Sequence, residues 1–232
     1  MHARPPDIRA EDRALQIPIH PQGWPFIAAA VALAAAVFAF IGWPGWLLLP
    51  LVVWVVAFFR DPERRAPQGP GLIVSPADGR LLPIVEGEPP GELGLPPGKR
   101  RRLSIFMNVF DVHVNRVPGD GAVTALAYRP GKFFNASFDK ASEHNERMAV
   151  KLRLAGSSQT PLDLVFVQIA GLVARRIVCS LRKDQPVCRG DRFGIIRFGS
   201  RVDLYLPESA RILVKEGQTV RGGETVLADY PA

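Results

Sequence analysis

The chain has 232 residues, 47% of them apolar, which is enough for one substantial domain plus an appendage. Its 29 Lys and Arg against 22 Asp and Glu leave a net charge of +7, so its partner should be anionic, either nucleic acid or an anionic membrane surface. Two cysteines, Cys179 and Cys188, are too few for a disulfide framework, and the four histidines lack metal-ligand spacing. A disulfide-stapled module and a zinc protein are both disfavoured, and a reducing compartment is the default.

The apolar residues are gathered near the N-terminus. An uncharged stretch runs from Trp24 to Gly42, is cut by a Pro44–Gly45 turn, and continues uncharged to Phe59. As helices the two arms measure about 21 to 28 Å, marginal against a hydrocarbon core of about 30 Å. Trp24, Trp43, Trp46 and Trp54 all lie in this stretch, three of them at arm ends, where interfacial aromatics belong. The leading segment carries Asp7, Glu11 and Asp12 beside Arg4, Arg9 and Arg13, unlike the basic start of a signal peptide. Those arginines, with Arg60, Arg64 and Arg65 beyond the second arm, predict a hairpin or re-entrant anchor in the cell membrane with both ends on the cytoplasmic face. A membrane surface is therefore favoured over nucleic acid, for which no basic stripe interleaved with aromatics is seen.

A Pro/Gly/charge linker follows from Arg60 to Gly71, and the composition then changes to short runs of Val, Ile, Leu and Phe punctuated by Gly, Pro and Asp. The predicted organisation is an N-terminal tail and anchoring hairpin over residues 1–60, then a mainly β domain over 61–232. The latter is expected to be a compact β-sandwich or barrel-sandwich. Within it, Lys132–Met148 reads as loop or broken helix, and Lys99–Arg102 as a basic run after a Pro/Gly loop, either solvated or gripping anionic lipid. The tail from Ile212 to Leu227 has the hairpin-like turns of sandwich domains.

Gly199 and Ser200 stand immediately before the alternating strand "RVDLYLP". A Gly-Ser pair is common as a turn or bulge. It is also a place where a serine hydroxyl can attack the preceding carbonyl, which glycine leaves open on all sides. The resulting ester could break by β-elimination, leaving a pyruvoyl group at residue 200. Two further residues carry chemistry and a structural alternative alike. Asp78 sits in a "SPADG" turn that could be a simple Asx-turn. His113 lies in the strand-like "DVHVNRV" and, titrating near neutrality, is the leading candidate for acid/base work, with His144 second.

Five stretches in order, "FFRDPER" (58–64), "SPADG" (75–79), "FMNVFDVHVNRVP" (106–118), "HNER" (144–147) and "GDRFGIIRFGSRVDLYLP" (190–207), resemble phosphatidylserine decarboxylase, in its short membrane-associated bacterial and archaeal branch. The resemblance implies a proenzyme cleaved between Gly199 and Ser200. A large β chain (1–199) and a small α chain (200–232) would form a heterodimer, with further oligomerisation open. The cofactor would be a covalent pyruvoyl group derived from Ser200, and no metal would be needed. The substrate would be phosphatidylserine in an anionic membrane, decarboxylated through a Schiff base to phosphatidylethanolamine. Asp78 would orient the base for self-cleavage. The longer branch has a second histidine where this chain has Arg116, and an arginine cannot take a proton at neutral pH, so the base is His113 or His144. Arg116, Arg147 and Asn145 are candidate substrate-binding residues, the arginines for phosphate or carboxylate. A membrane-anchored, lipoyl-like adaptor without catalysis and a pyruvoyl decarboxylase of a soluble amino acid remain as alternatives.

Overall fold

The computed structural model describes residues 19–131, 145–156, 161–171, 176–197 and 200–231. Gly199 and His144 lie outside them. The apolar N-terminal stretch forms helix α1 (Trp24–Ile41), a 3-10 segment (Trp43–Leu48) and helix α2 (Leu49–Phe58). The second arm is therefore not one helix: Pro44 and Gly45 tighten its first part into 3-10 geometry, and ten residues of α-helix remain. Pro21–Ile41 is long and apolar enough to cross a membrane. The two ends of the hairpin are bonded together. Ile19 bridges Arg60, and the His20 N–H donates to the Phe59 carbonyl at 2.8 Å, so both ends emerge on the same side of whatever the hairpin enters.

Fifteen strands follow among the described residues. They are β1 (Leu72–Val74), β2 (Gly79–Leu81), β3 (Val85–Gly87), β4 (Arg100–Met107), β5 (Val114–Arg116), β6 (Gly121–Arg129), β7 (Arg147–Leu154) and β8 (Asp163–Ala170). Then come β9 (Ile177–Cys179), β10 (Pro186–Val187), β11 (Arg192–Ile196), β12 (Ser200–Tyr205), β13 (Arg211–Ile212), β14 (Thr219–Val220) and β15 (Val226–Asp229). The fold is mainly β. A large antiparallel sheet has the order β10-β6-β7-β8-β12-β4-β2-β14, with β3 also on β4, and two three-stranded sheets, β1-β15-β13 and β5-β11-β9, complete it.

Alternation along the central strands sorts their residues to two faces. Met107, Ile105 and Leu103 of β4, Val202 and Leu204 of β12, and Phe166 of β8 share one face and build the main core with Ile73, Phe193 and Leu227. Phe166 and Phe193 meet edge to face at 5.0 Å and tie the large sheet to β11. The other face carries Ile169, Val167, Val165 and Tyr205 under Leu93, together with a buried ion pair, Arg201 Nε to Asp203 Oδ1 at 2.8 Å.

Three expectations need correcting. Arg100–Arg102 is not loop but the start of β4, because β3 pairs alongside with Glu86 opposite Arg101, and Arg102 is buried near Asp203. Arg147 and Met148 belong to β7, since they pair with Ile169 and Gln168. The C-terminal tail is not a hairpin of neighbours: β13 pairs with β15, while β14 between them crosses to β2.

The hairpin presents Phe40, Ile41, Trp43, Trp46 and Leu47 at its tip, well exposed, and buries Val55, Phe58 and Phe59 at its base. Each tip side chain is worth about 1.5–3 kcal/mol on entering an apolar phase, and salt does not screen that term. Washing membranes with concentrated salt or alkaline carbonate should leave the protein in the pellet, and complete release into the supernatant would show that the hairpin does not enter lipid.

Candidate active site

Ser200 is the first residue of β12 and is fully buried. Its strand is paired on both sides, so Ser200 faces Met107 of β4 and Ala170 of β8. Its hydroxyl meets the Met107 sulfur at 4.0 Å, a weak contact that leaves the oxygen available for chemistry. β11 ends at Ile196 and belongs to a different sheet from β12.

His113 precedes β5 and is also fully buried. Its Nδ1 lies 3.0 Å from the Asp111 carbonyl oxygen. A carbonyl only accepts, so Nδ1 carries the proton and Nε2 presents a lone pair. Nε2 is buried and has no hydrogen-bond partner among the described residues. Burial lowers the imidazole to about 4, and the positive charge of Arg60 adds to that, against the opposing bond to Asp111. His113 is therefore neutral at pH 7, the state of a base.

Strand alternation puts Asn115, two residues on, in the same layer. Its amide nitrogen is 3.7 Å from the Met107 sulfur, and its amide oxygen accepts from Gln168 Nε2 at 2.8 Å. Gln168 can approach because position 194 is glycine: a Cβ there would lie 2.1 Å from the Val178 carbonyl oxygen and 3.1 Å from Gln168 Nε2. Ser200 and Asn115 thus converge on Met107, with buried Gln168 behind them. Neither Asn115 nor Gln168 was picked out from sequence, although the period-2 spacing from His113 was a signal for the first.

Asp78 lies in the Ser75–Gly79 turn, which is knitted to the C-terminal segment. Asp78 Oδ1 accepts from the Gly222 N–H at 2.7 Å, and Oδ2 accepts from Arg64 at 2.8 Å. Burial raises its carboxyl above the usual range, against the Gly222 bond and the Arg64 charge. Its two oxygens are thus engaged by Gly222 and Arg64, while the His113 ring is held by Asp111, which sequence reasoning missed.

The Arg60–Arg64 stretch proves to be a strap. Arg60 donates to the Ala57 and Phe110 carbonyls, both at 2.7 Å, and Asp61 takes Arg192 at 2.7 Å. Arg64 joins Asp78 to Glu224. Arg116 completes it, donating to the Pro62 carbonyl at 2.7 Å and the Gly190 carbonyl at 3.0 Å. Arg147 projects to Glu92 at 2.7 Å. Asn145 donates to the Ala170 carbonyl at 2.7 Å, on the residue paired with Ser200. Of the three expected substrate contacts, Asn145 is thus the one placed beside Ser200. The described residues contain no cluster of metal-ligating side chains.

The sequence that builds this mainly β body, its buried serine and histidine and its apolar hairpin matches known proteins. The profile of the family described as phosphatidylserine decarboxylase matches residues 51–228. A curated protein of Cereibacter sphaeroides named phosphatidylserine decarboxylase proenzyme is 52% identical over 212 residues, covering 91% of this chain and 90% of its own length. Proteins of the same name from Ruegeria pomeroyi (51%, covering 91% and 95%) and Rickettsia typhi (49%, covering 91% and 90%) match similarly. The chain belongs to the phosphatidylserine decarboxylase family.

The state of His113 has a consequence for stability. The unfolded chain binds a proton near 6.5, while the folded protein refuses it until about 4. The contribution is therefore complete above about 6.5 and is lost as pH falls through that window, about 3 kcal/mol in all. Urea unfolding midpoints in detergent between pH 7.5 and 4.5 should fall more steeply for the wild type than for His113→Gln; equal slopes would show that the imidazole is not held neutral.

Proposed function

We propose that this protein is a self-processing decarboxylase that converts phosphatidylserine to phosphatidylethanolamine at the cytoplasmic face of the cell membrane. The observation that carries the proposal is the burial of Ser200 at the head of a doubly paired strand, in a body that also buries a histidine held neutral. Family membership and the proenzyme name of the relatives support a processed enzyme. Residues 1–60 would act as tail and anchor and 61–232 as the catalytic body.

In this account the Ser200 hydroxyl attacks the Gly199 carbonyl as His113 Nε2 accepts its proton, and the amide becomes an ester. Loss of the Ser200 α-proton expels the Gly199 carboxylate and leaves dehydroalanine at residue 200. Tautomerisation and attack by water release ammonia and leave a pyruvoyl group on the small chain. A neutral imidazole with an available Nε2 is a base in the resting site, so self-cleavage is the step where His113 acts first. Asp78 acts at a distance, fixing the Ser75–Gly79 turn against Gly222 of the small chain.

The residues present fit such a group: Ser200, its source, is buried at the head of β12 against Met107 and Ala170, and the uncharged Asn115 and Gln168 lie behind Met107. Once formed from Ser200, a pyruvoyl group would supply the electron sink that decarboxylation of an amino acid head group needs. Asn145, holding the Ala170 carbonyl, is assigned to the substrate side. Arg116 and Arg147 would reach a lipid phosphate or carboxylate only by giving up their bonds to Pro62, Gly190 and Glu92, and we assign them first to holding those segments in place.

Reduction with borohydride in the presence of phosphatidylserine should fix the lipid covalently to the small chain. Ser200→Ala should remain one chain, accept no lipid and lack activity. Decarboxylation by Ser200→Ala would remove the serine from the mechanism. An intact wild-type chain with no turnover would favour the adaptor, and turnover of free serine but not of the lipid would favour a decarboxylase of soluble amino acids.

A further inference from the structure

The base of the hairpin meets the candidate site at two points. Phe58, the last residue of α2, stacks on the His113 ring with centroids 4.1 Å apart and planes 30° apart, and is 1% exposed. Phe26, in the first turn of α1, carries the Arg197 guanidinium 5.3 Å from its ring centroid. Arg197 is the last described residue before Ser200. The two contacts are joined ring to ring, since Phe59 is 5.0 Å from Phe58 and stacks on Phe26 at 5.3 Å. Val112, Val114 and Ile195 close the cluster from the β body. Gly23 backs onto Phe59, where a Cβ would come within 2.5 Å, so the stack has no slack on that side.

These contacts supply what the hydrogen bonds leave open. The Nδ1 bond to Asp111 fixes one point of the imidazole but still lets the ring swing about it. A flat apolar ring against one face removes that freedom and keeps water off it, and so aims Nε2. Of the charged groups, Arg60 of the strap acts on the histidine and on Asp78, while Asp111 acts on Asp78 and holds the ring through its carbonyl. The ring that stacks on His113 is that of Phe58.

We propose that Phe58 is a positioning residue for His113, so that docking of the hairpin onto the β body, beyond its insertion into lipid, makes the histidine competent for self-cleavage. The proposal rests on the base role given to His113 above. It makes the membrane arm part of the processing machinery: a hairpin that is undocked would leave the proenzyme slow to cut itself even when anchored.

The test uses full-length proenzyme made by cell-free translation into nanodiscs of phosphatidylcholine and phosphatidylglycerol, with appearance of the large chain followed on gels between pH 4 and 8. Phe58→Leu keeps an apolar side chain and removes the flat ring, and Phe58→Ala opens the site to water. Both should slow self-cleavage at least tenfold at pH 7, and Phe58→Ala should also move the pH of half-maximal rate up towards 6.5. Phe40→Leu, at the exposed tip, should cleave like wild type, and all variants should stay with the nanodisc. Wild-type rates and pH midpoints in both Phe58 variants, with His113→Ala blocked, would overturn the positioning role alone. A rate loss equal in Phe58→Leu and Phe40→Leu, with no change of midpoint, would overturn it as general damage to the hairpin. Full cleavage by His113→Ala would remove the base role and the proposal with it.

Discussion

Strand β12 is hydrogen-bonded along its whole length to β4 on one side and β8 on the other, and the position of Ser200 depends on that double pairing. A residue at the head of an edge strand would meet solvent and a choice of rotamers. Here the backbone is fixed from both sides, the main core packs beneath Val202 and Leu204, and the buried Arg201–Asp203 pair holds the opposite face. An ion pair in that setting gains little net stability, but breaking it leaves a buried charge.

The same pairing governs what a break before Ser200 would do. Everything after it is woven into the rest of the protein: β12 lies in the large sheet, β15 pairs with β1 and carries β13 on its other side, and β14 reaches β2. Gly222 and Glu224 are bonded to Asp78 and Arg64. Residues 200–232 would therefore stay in place after cleavage, held by two sheets. On the other side of the bond, β11 and Arg197 are held by β5 and by the hairpin base. Strands β11 and β12 thus belong to separate sheets, and the strap links the first, through Asp61 and Arg192, to the C-terminal segment, through Arg64 and Glu224.

Much of this was legible in the sequence. Uncharged length gave the hairpin, alternation gave β12 and its neighbours, and the order of five motifs gave the family. What escaped did so for physical reasons. Three consecutive arginines look like a solvated loop until β3 supplies a partner strand carrying Glu86, a pairing that one-dimensional charge does not encode. Arg116 looks like a substrate ligand because a free guanidinium suits phosphate; its use in binding Pro62 and Gly190 follows only from where the strap folds back. The partner of His113 is a backbone carbonyl, invisible as a residue type. The stacking of Phe58 on His113 joins positions 55 residues apart, and no local pattern in "AFFRD" distinguishes a side chain facing lipid from one facing a histidine.

The central claim is that this chain cuts itself before Ser200 and turns that serine into a ketone, and intact mass tests it most directly. The account predicts two masses from purified wild-type protein, one for residues 1–199 and one for residues 200–232, the latter lighter by one ammonia than a fragment beginning with a free serine. A single species of 25.4 kDa that still decarboxylates phosphatidylserine, or a small chain with an intact N-terminal serine, would contradict it.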